Sequence, residues 1–413
     1  MTERADGPPE RPAGSQHPVR PASGADDPVR GLPAIWLRDN CGCAECRDPA
    51  SRARLISITD LPEHVSLAAV RRSGQRIEIE FGPDSHRSVY DAGWLDQFRL
   101  APVPRQRSRP PDPPARPYPP APPGPGTGAA AEDGRSEDAK QLWDMARICG
   151  ALPLGSWPLY QADQAHRQAC LRAVLRDGFV LLAGVPPEPG AVLAVAQTLG
   201  VVRDTEHGRL AEVRFGAWPP SEGATRRTSL PATTAAFRDP LLTVKVLGCV
   251  IAAAQGGEST LVDGFFAAAT LRSRDPAAFA TLASTAVTFA RADATVEMRA
   301  THPVITLDSR GRIREIRYDR THQAPLRATP GEIVAFYDAL RAFARLVEDR
   351  ALTLTMALRS GHCLIMDNTR ILNGRLGFAP SPAPGRERHM QACWADLDGL
   401  ASRLAVLERP QRN

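Results

Sequence analysis

The chain has almost no lysine. Of its 51 cationic residues only Lys140 and Lys245 are lysines, so arginine carries nearly all the positive charge. That bias, together with abundant alanine and proline, fits a skewed genomic base composition, and it makes a lysine inside an apolar strand conspicuous. Long apolar runs are also missing. None reaches the length needed to span a bilayer as a helix, and no charged, apolar and small-residue order marks a signal peptide, so a membrane partner is excluded and a cytoplasmic location is expected. Long basic runs are missing too. The net charge is +5, but acids and bases are interspersed, which argues against a nucleic-acid partner. Cysteine is sparse and uneven: of eight, three crowd into residues 41–46 and five stand alone. Such spacing excludes a disulfide framework and suits one metal site plus buried thiols.

At 413 residues the chain is long enough for two domains, the larger with a substantial core. Residues 1–31 are polar, rich in proline and glycine and without periodicity, as expected of a disordered N-terminus. A small domain is expected over 32–98, where Arg76-Ile77-Glu78-Ile79-Glu80-Phe81 alternates as a half-buried strand does. Residues 99–136 read as a linker. Their 102–125 portion carries 12 prolines and favours an extended, semi-stiff chain. The second domain is expected over 137–407, with a short tail at 408–413. Its patterning predicts helices at 138–149, 163–176 and 188–199, a strand at Phe179-Val180-Leu181-Leu182, then several short strands. A long helix from Glu332 to Asp349 interrupts them, with Ile333, Phe336, Tyr337, Leu340, Phe343 and Leu346 at helical spacing. Strand after strand around an inserted helical block predicts an α+β, mainly β fold: a double-stranded β-helix (jelly roll) with helical insertions.

Cys41-Gly42-Cys43-Ala44-Glu45-Cys46 places three thiolates within six residues, and His86 follows forty residues on. Four soft or borderline ligands with no spare position suit a closed tetrahedral zinc site, which stabilises the fold and does no chemistry.

Four stretches carry a family resemblance: Trp36-Leu37-Arg38-Asp39-Asn40-Cys41, Gly256 to Phe265, Asp367 to Arg375, and Arg388-His389-Met390-Gln391-Ala392-Cys393-Trp394. Through them residues 32–95 and roughly 176–407 resemble the γ-butyrobetaine and trimethyllysine dioxygenases, within the TauD/TfdA-like Fe(II)/2-oxoglutarate superfamily. The resemblance implies an N-terminal zinc domain bound by Cys41, Cys43, Cys46 and His86, a jelly-roll catalytic domain, and commonly a homodimer. It also implies two iron ligands just before Phe237-Arg238-Asp239-Pro240 and a third at Asn373. Aligning from either side leaves two registers for the first pair, Ala232 with Thr234 or Thr233 with Ala235. Neither register supplies histidine or carboxylate, although the facial triad of such oxygenases needs two histidines and one carboxylate. Zinc is therefore the expected cofactor, while the altered positions Ala232, Thr234 and Asn373 put Fe(II) and 2-oxoglutarate in doubt.

The remaining pocket candidates point to binding or non-redox chemistry. By family position Arg388 is expected to grip a carboxylate with its guanidinium fork, while Trp394 and Phe237 fall where aromatic walls surround a quaternary ammonium. Lys245, in Leu242-Thr243-Val244-Lys245-Val246-Leu247, either snorkels from a sheet edge or supplies a cation inside the barrel. His207 and Asp239 are candidate acid–base residues beside Lys245, and Arg238 a candidate substrate contact, all at the pocket mouth by family position. Three readings follow. The first is an iron-free enzyme of specialised metabolism performing an elimination, isomerisation or ring closure on a small amine- or carboxylate-bearing metabolite. The second is an Fe(II)/2-oxoglutarate-dependent γ-butyrobetaine-like hydroxylase with substituted ligands. The third is a non-catalytic ligand-binding or scaffold subunit of a heteromeric partner enzyme.

Overall fold

The computed structural model describes residues 29–49, 54–98, 140–214, 227–293, 296–379, 381 and 385–409. Residues 1–28 of the expected disordered N-terminus, the whole linker over 99–136 and most of the tail lie outside these residues. The N-terminal part opens with helix α1 (Ala34–Asp39) and continues through an antiparallel sheet of β1 (Ser66–Ser73), β2 (Arg76–Gly82) and β3 (Arg87–Asp91), closed by α2 (Ala92–Asp96). As the alternation predicts, Ile77, Ile79 and Phe81 of β2 are buried and the residues between them are not.

The larger part runs through α3 (Met145–Gly150), β4 (Leu154–Ser156), α4 (Trp157–Ala162), α5 (Gln164–Asp177), β5 (Phe179–Ala183) and α6 (Ala191–Leu199). Next come β6 (Ala211–Arg214), β7 (Ser229–Ala232), β8 (Val244–Ile251), β9 (Ser259–Asp263), α7 (Gly264–Arg274) and α8 (Pro276–Ser284). Two hairpins follow, β10 (Val287–Ala292) with β11 (Glu297–His302) and β12 (Ile305–Leu307) with β13 (Ile313–Ile316). The chain ends in α9 (Pro330–Val347), β14 (Thr353–Met356), β15 (Cys363–Asp367), β16 (Ile371–Arg375), β17 (His389–Ala395) and α10 (Leu397–Leu407).

Two sheets form the jelly roll. The major one has the order β4-β5-β15-β8-β17-β6 and the minor one β14-β9-β16-β7, antiparallel throughout except β4 beside β5. Strand period sorts the major sheet's side chains into two layers. Val244, Val246, Cys363, Ile365, Cys393 and Ala395 share one core with residues of α5, α6 and α10. Leu247, Cys249, Leu364, Met366, Met390 and Trp394 share the other with Leu261 of the minor sheet.

Helix α9 follows the predicted stripe closely. Thr329 and Glu332 form a reciprocal capping box, Pro330 opens the first turn, and the apolar positions face the core. The expected helix at 138–149 is shorter: within the described residues it begins at Met145. Tertiary hydrogen bonds override local propensity there, because Trp143 donates its backbone N–H to Asp263 and its indole N–H to the Asp177 carbonyl. Among the described residues no helix is long and apolar enough to cross a membrane.

Candidate functional site

The zinc cluster forms as the spacing predicts. Cys41, Cys43 and Cys46 put their sulfurs 3.3, 3.6 and 3.6 Å from His86 Nε2, and the four ligand atoms lie within 4.8 Å of one another. Usual zinc bond lengths at a tetrahedral angle give an S···N separation of about 3.6 Å. The donor set and its spacing therefore fit zinc. Arg38 supports the thiolates from behind, donating to Cys46 Sγ at 3.2 Å while pairing with Asp84 at 3.0 Å.

Lys245 points inward. Its neighbours Val244 and Val246 belong to the helix-covered layer, so period two turns the lysine toward the minor sheet. Its cross-strand partners are Met366 on β15 and Trp394 on β17. The ammonium donates to Thr234 Oγ1 and Asn373 Oδ1, both at 3.1 Å. Asn373 is oriented for that contact, since its Nδ2 faces the Thr260 and Gly374 carbonyls at 3.4 and 3.2 Å. Directly opposite Asn373 on β7 is Ala232. Thr234 and Asn373 thus meet at Lys245 Nζ, and Ala232 lies across the ladder from Asn373. Thr233 is turned away, its hydroxyl donating to Ile316 O and accepting from Tyr318 N, and Ala235 sits in the left-handed region at φ 55° as the chain turns.

A facial iron site needs imidazole and carboxylate donors. A methyl, a hydroxyl and a carboxamide stand at these positions, and the last two already accept from an ammonium. The residues present do not fit Fe(II).

Arg388 lies toward the end of the same inter-sheet space. It is buried to 7% exposure, and among the described residues no acid pairs with it. Phe378 lies beneath its guanidinium at 5.5 Å and beneath that of Arg375 at 4.7 Å. Burial, and then the neighbouring Arg375 charge, push Arg388 down to about 10. A cavity of about 130 Å³ opens beside it, lined also by Gly256, Gly257, Glu258, Arg359 and Met390. Gly256 has φ 72°, and a Cβ there would lie 2.3 Å from the Gly377 carbonyl, so this wall requires glycine.

The mouth residues are arranged differently from expectation. Arg238 is spent on Glu206, which also receives Arg291 at 3.0 Å; an arginine already held by an internal acid is not available as a substrate fork. His207 Nε2 approaches Arg291 at 3.3 Å, and burial chiefly, aided by Arg291 and Arg238, lowers its pKa against the pull of Glu206. Phe237 is fully buried. His322 meets its edge at 4.9 Å and Arg291 lies over its ring at 5.7 Å, so the place of an external cation on that ring is filled from within. Asp239 turns out to the surface, 60% exposed and paired with His302 at 3.2 Å, which removes it from the group around Lys245. Trp394 is buried at 6% exposure, and its indole N–H has no partner among the described residues. Sequence reasoning missed Arg291 and the role of Arg375. Arg375 sits two residues beyond Asn373 and so shares its face, a signal that period two offered; nothing local links Arg291 to Glu206.

Comparison with known proteins settles the family. Residues 151–394 match the model of the taurine catabolism dioxygenase TauD, TfdA family, and residues 25–96 match the gamma-butyrobetaine hydroxylase-like N-terminal family. This chain belongs to the TauD/TfdA dioxygenase family. It is 32% identical over 390 residues to the gamma-butyrobetaine dioxygenase of Pseudomonas sp. (strain AK-1), covering 93% of this chain and 92% of that one. It is 25% identical over 388 residues to the gamma-butyrobetaine dioxygenase of Homo sapiens, covering 92% of each. Among solved structures, an asparagine oxygenase in complex with Fe(II), 3-hydroxyasparagine and succinate is similar, at 19% identity and a TM-score of 0.46, covering 58% of this chain and 81% of that chain. The relatives are named as dioxygenases. Their names support the oxygenase reading and give no support to an iron-free enzyme, so the doubt over Fe(II) rests on the ligand positions alone and the doubt over 2-oxoglutarate has no support.

Proposed function

We propose that this family member is an iron-independent enzyme acting on a small anionic metabolite through a non-redox step, an elimination, isomerisation or ring closure. The observation that carries the reading is the Lys245 ammonium lodged between Thr234 and Asn373. The charge of the surroundings supports an anionic substrate. Lys245, Arg375 and Arg388 face the inter-sheet space, while Glu206 is already shared by two arginines. A trimethylammonium group would meet Arg291 over Phe237 before it met the ring. Arg388 would hold a substrate carboxylate bidentately, and Trp394 would wall the site beside Lys245. His207, held neutral, is the acid–base group nearest the mouth. Fixed cations that need no reorganisation can stabilise charge developing on a leaving group or an enolate. A zinc-binding unit over 32–98 serving a jelly-roll unit over 137–407 belongs to the same proposal, as do a cytoplasmic setting and a homodimeric or heteromeric assembly.

The second reading is a hydroxylase of γ-butyrobetaine type using Fe(II) and 2-oxoglutarate with substituted ligands. The names of the relatives favour it, at 32% identity across nearly the whole chain. One experiment separates the two. The purified protein is incubated anaerobically with Fe(II) and 2-oxoglutarate, desalted, and its metals counted by inductively coupled plasma mass spectrometry. One zinc and no iron per chain is the expected result. Stoichiometric iron, with succinate formed on admitting oxygen, would establish the hydroxylase instead.

A further inference from the structure

The geometry points to Lys245 as an internal replacement for a metal ion, so that the altered ligands and the lysine form one coupled unit; this rests on the iron-independent reading above. Thr234, in the turn after β7, and Asn373 of β16 converge where Lys245 of β8 delivers its Nζ, and Ala232 of β7 pairs across the ladder with Asn373. The chemistry of each is matched to an ammonium. Thr234 and Asn373 offer neutral oxygens at 3.1 Å, the range in which N–H donors bond oxygen acceptors. Ala232, across the ladder from Asn373, offers only a methyl group and no donor atom for a metal. Asn373 cannot swap its amide ends without breaking its contacts to two carbonyls, so its oxygen stays committed to Nζ. A cation arriving from solvent would have to displace a tethered one whose acceptors are already in place.

The consequence is specific: restoring the ligands alone does not restore a metal site. With Lys245 retained, the variant Ala232→His/Thr234→Asp/Asn373→His still holds an ammonium among its new donors. There the aspartate gains a salt bridge rather than a metal. Adding Lys245→Gln removes the charge and, because the side chain is shorter, vacates the position.

The test loads the natural chain, the triple variant and the quadruple variant, each zinc-replete and checked by circular dichroism, with Fe(II) under anaerobic dialysis. Iron beyond the zinc centre is then counted. One iron on the quadruple variant and none on the other two is the expected result. Iron on the triple variant, or none on a folded quadruple variant, overturns the inference while leaving the natural chain iron-free. Iron on the natural chain instead defeats the functional reading beneath it. Should the variants fail to fold, the natural chain still decides. It has two lysines, so its lysine Nζ nuclear magnetic resonance spectrum has two signals, and Lys140 is the exposed one. The Lys245 ammonium protons should exchange with water at least about tenfold more slowly than those of Lys140, as two part-buried hydrogen bonds to fixed oxygens predict. Exchange as fast as that of Lys140 would overturn the proposal.

Discussion

Arg388 shows how a single side chain can be unfavourable to the fold and useful to the site. Removing a guanidinium from water costs free energy unless an acid or a set of acceptors compensates it, and among the described residues no acid does so here. The depression of its pKa to about 10 has the same origin, since burial and the Arg375 charge both oppose its protonated form. Arg388→Met should therefore leave the ligand-free protein as stable or raise its stability by about 1 kcal/mol, while abolishing carboxylate binding. Chemical denaturation and calorimetric titration with a carboxylate ligand check the two halves separately; a clear loss of stability would mean that the guanidinium has structural partners. His207 gives a pH signature of definite sign. Its pKa in the folded protein lies below the ordinary 6.5, chiefly because burial disfavours the imidazolium. Above 6.5 both states are neutral and nothing depends on pH. Below it the unfolded chain takes up a proton that the folded one refuses, so stability falls as pH drops from that value toward the folded pKa. Urea midpoints measured from about pH 7.5 to about 5.5 should show this decline, and His207→Gln should flatten it.

At the scale of elements, the buried pair between Asp263 and Arg370 joins four segments at once. Asp263 ends β9, caps α7 through the Phe265 and Phe266 amides, and accepts from Trp143. Arg370, fully buried, donates to Asp263 and to the carbonyls of Arg176 and Gln141. Arg370→Met strands the carboxylate in the core and should cost about 3–5 kcal/mol, read from the shift in denaturation midpoint. A loss below 1 kcal/mol would show that water reaches Asp263. The same elements show what the sequence could reveal. Helix α9 was legible because its stripe and capping box are local, and β2 because its alternation is strict. Helices α7 and α8 were not, since their alanine-rich turns carry little contrast between faces and their starts depend on the caps Asp263 and Asp275. The zinc ligands were legible as a cluster. The inward turn of Lys245 needed to be known which layer Val244 and Val246 enter, and the pairing of Glu206 with Arg291 spans 85 residues of chain.

At the scale of the whole molecule, the zinc-binding segment is fused to the jelly roll rather than tethered to it. Trp36, Ile58, Ile79 and Leu95 belong to the same continuous core as Phe336, Phe343 and Leu354. Asp39, two residues before Cys41, is buried between Arg54 at 3.1 Å and Arg320 and accepts from Tyr337 at 2.8 Å. Arg54 extends the link through the Arg320 and Gln323 carbonyls, and Trp36 donates to Leu326 O. The 318–326 loop held in this way carries His322, which packs on Phe237 at the pocket mouth. A shared core of this kind predicts cooperative unfolding, because neither part can open without exposing apolar surface of the other. Zinc binds the folded chain and so should stabilise both parts together. Scanning calorimetry of the zinc-loaded protein is therefore expected to give one transition, and a thiol-compatible chelator should move that transition down as a unit. Cys46→Ser should do the same without chelator, and fluorescence of the buried tryptophans should track the same midpoint. Two separated transitions, with the upper one unmoved by chelation, would show instead that the jelly roll folds independently of its zinc-binding segment.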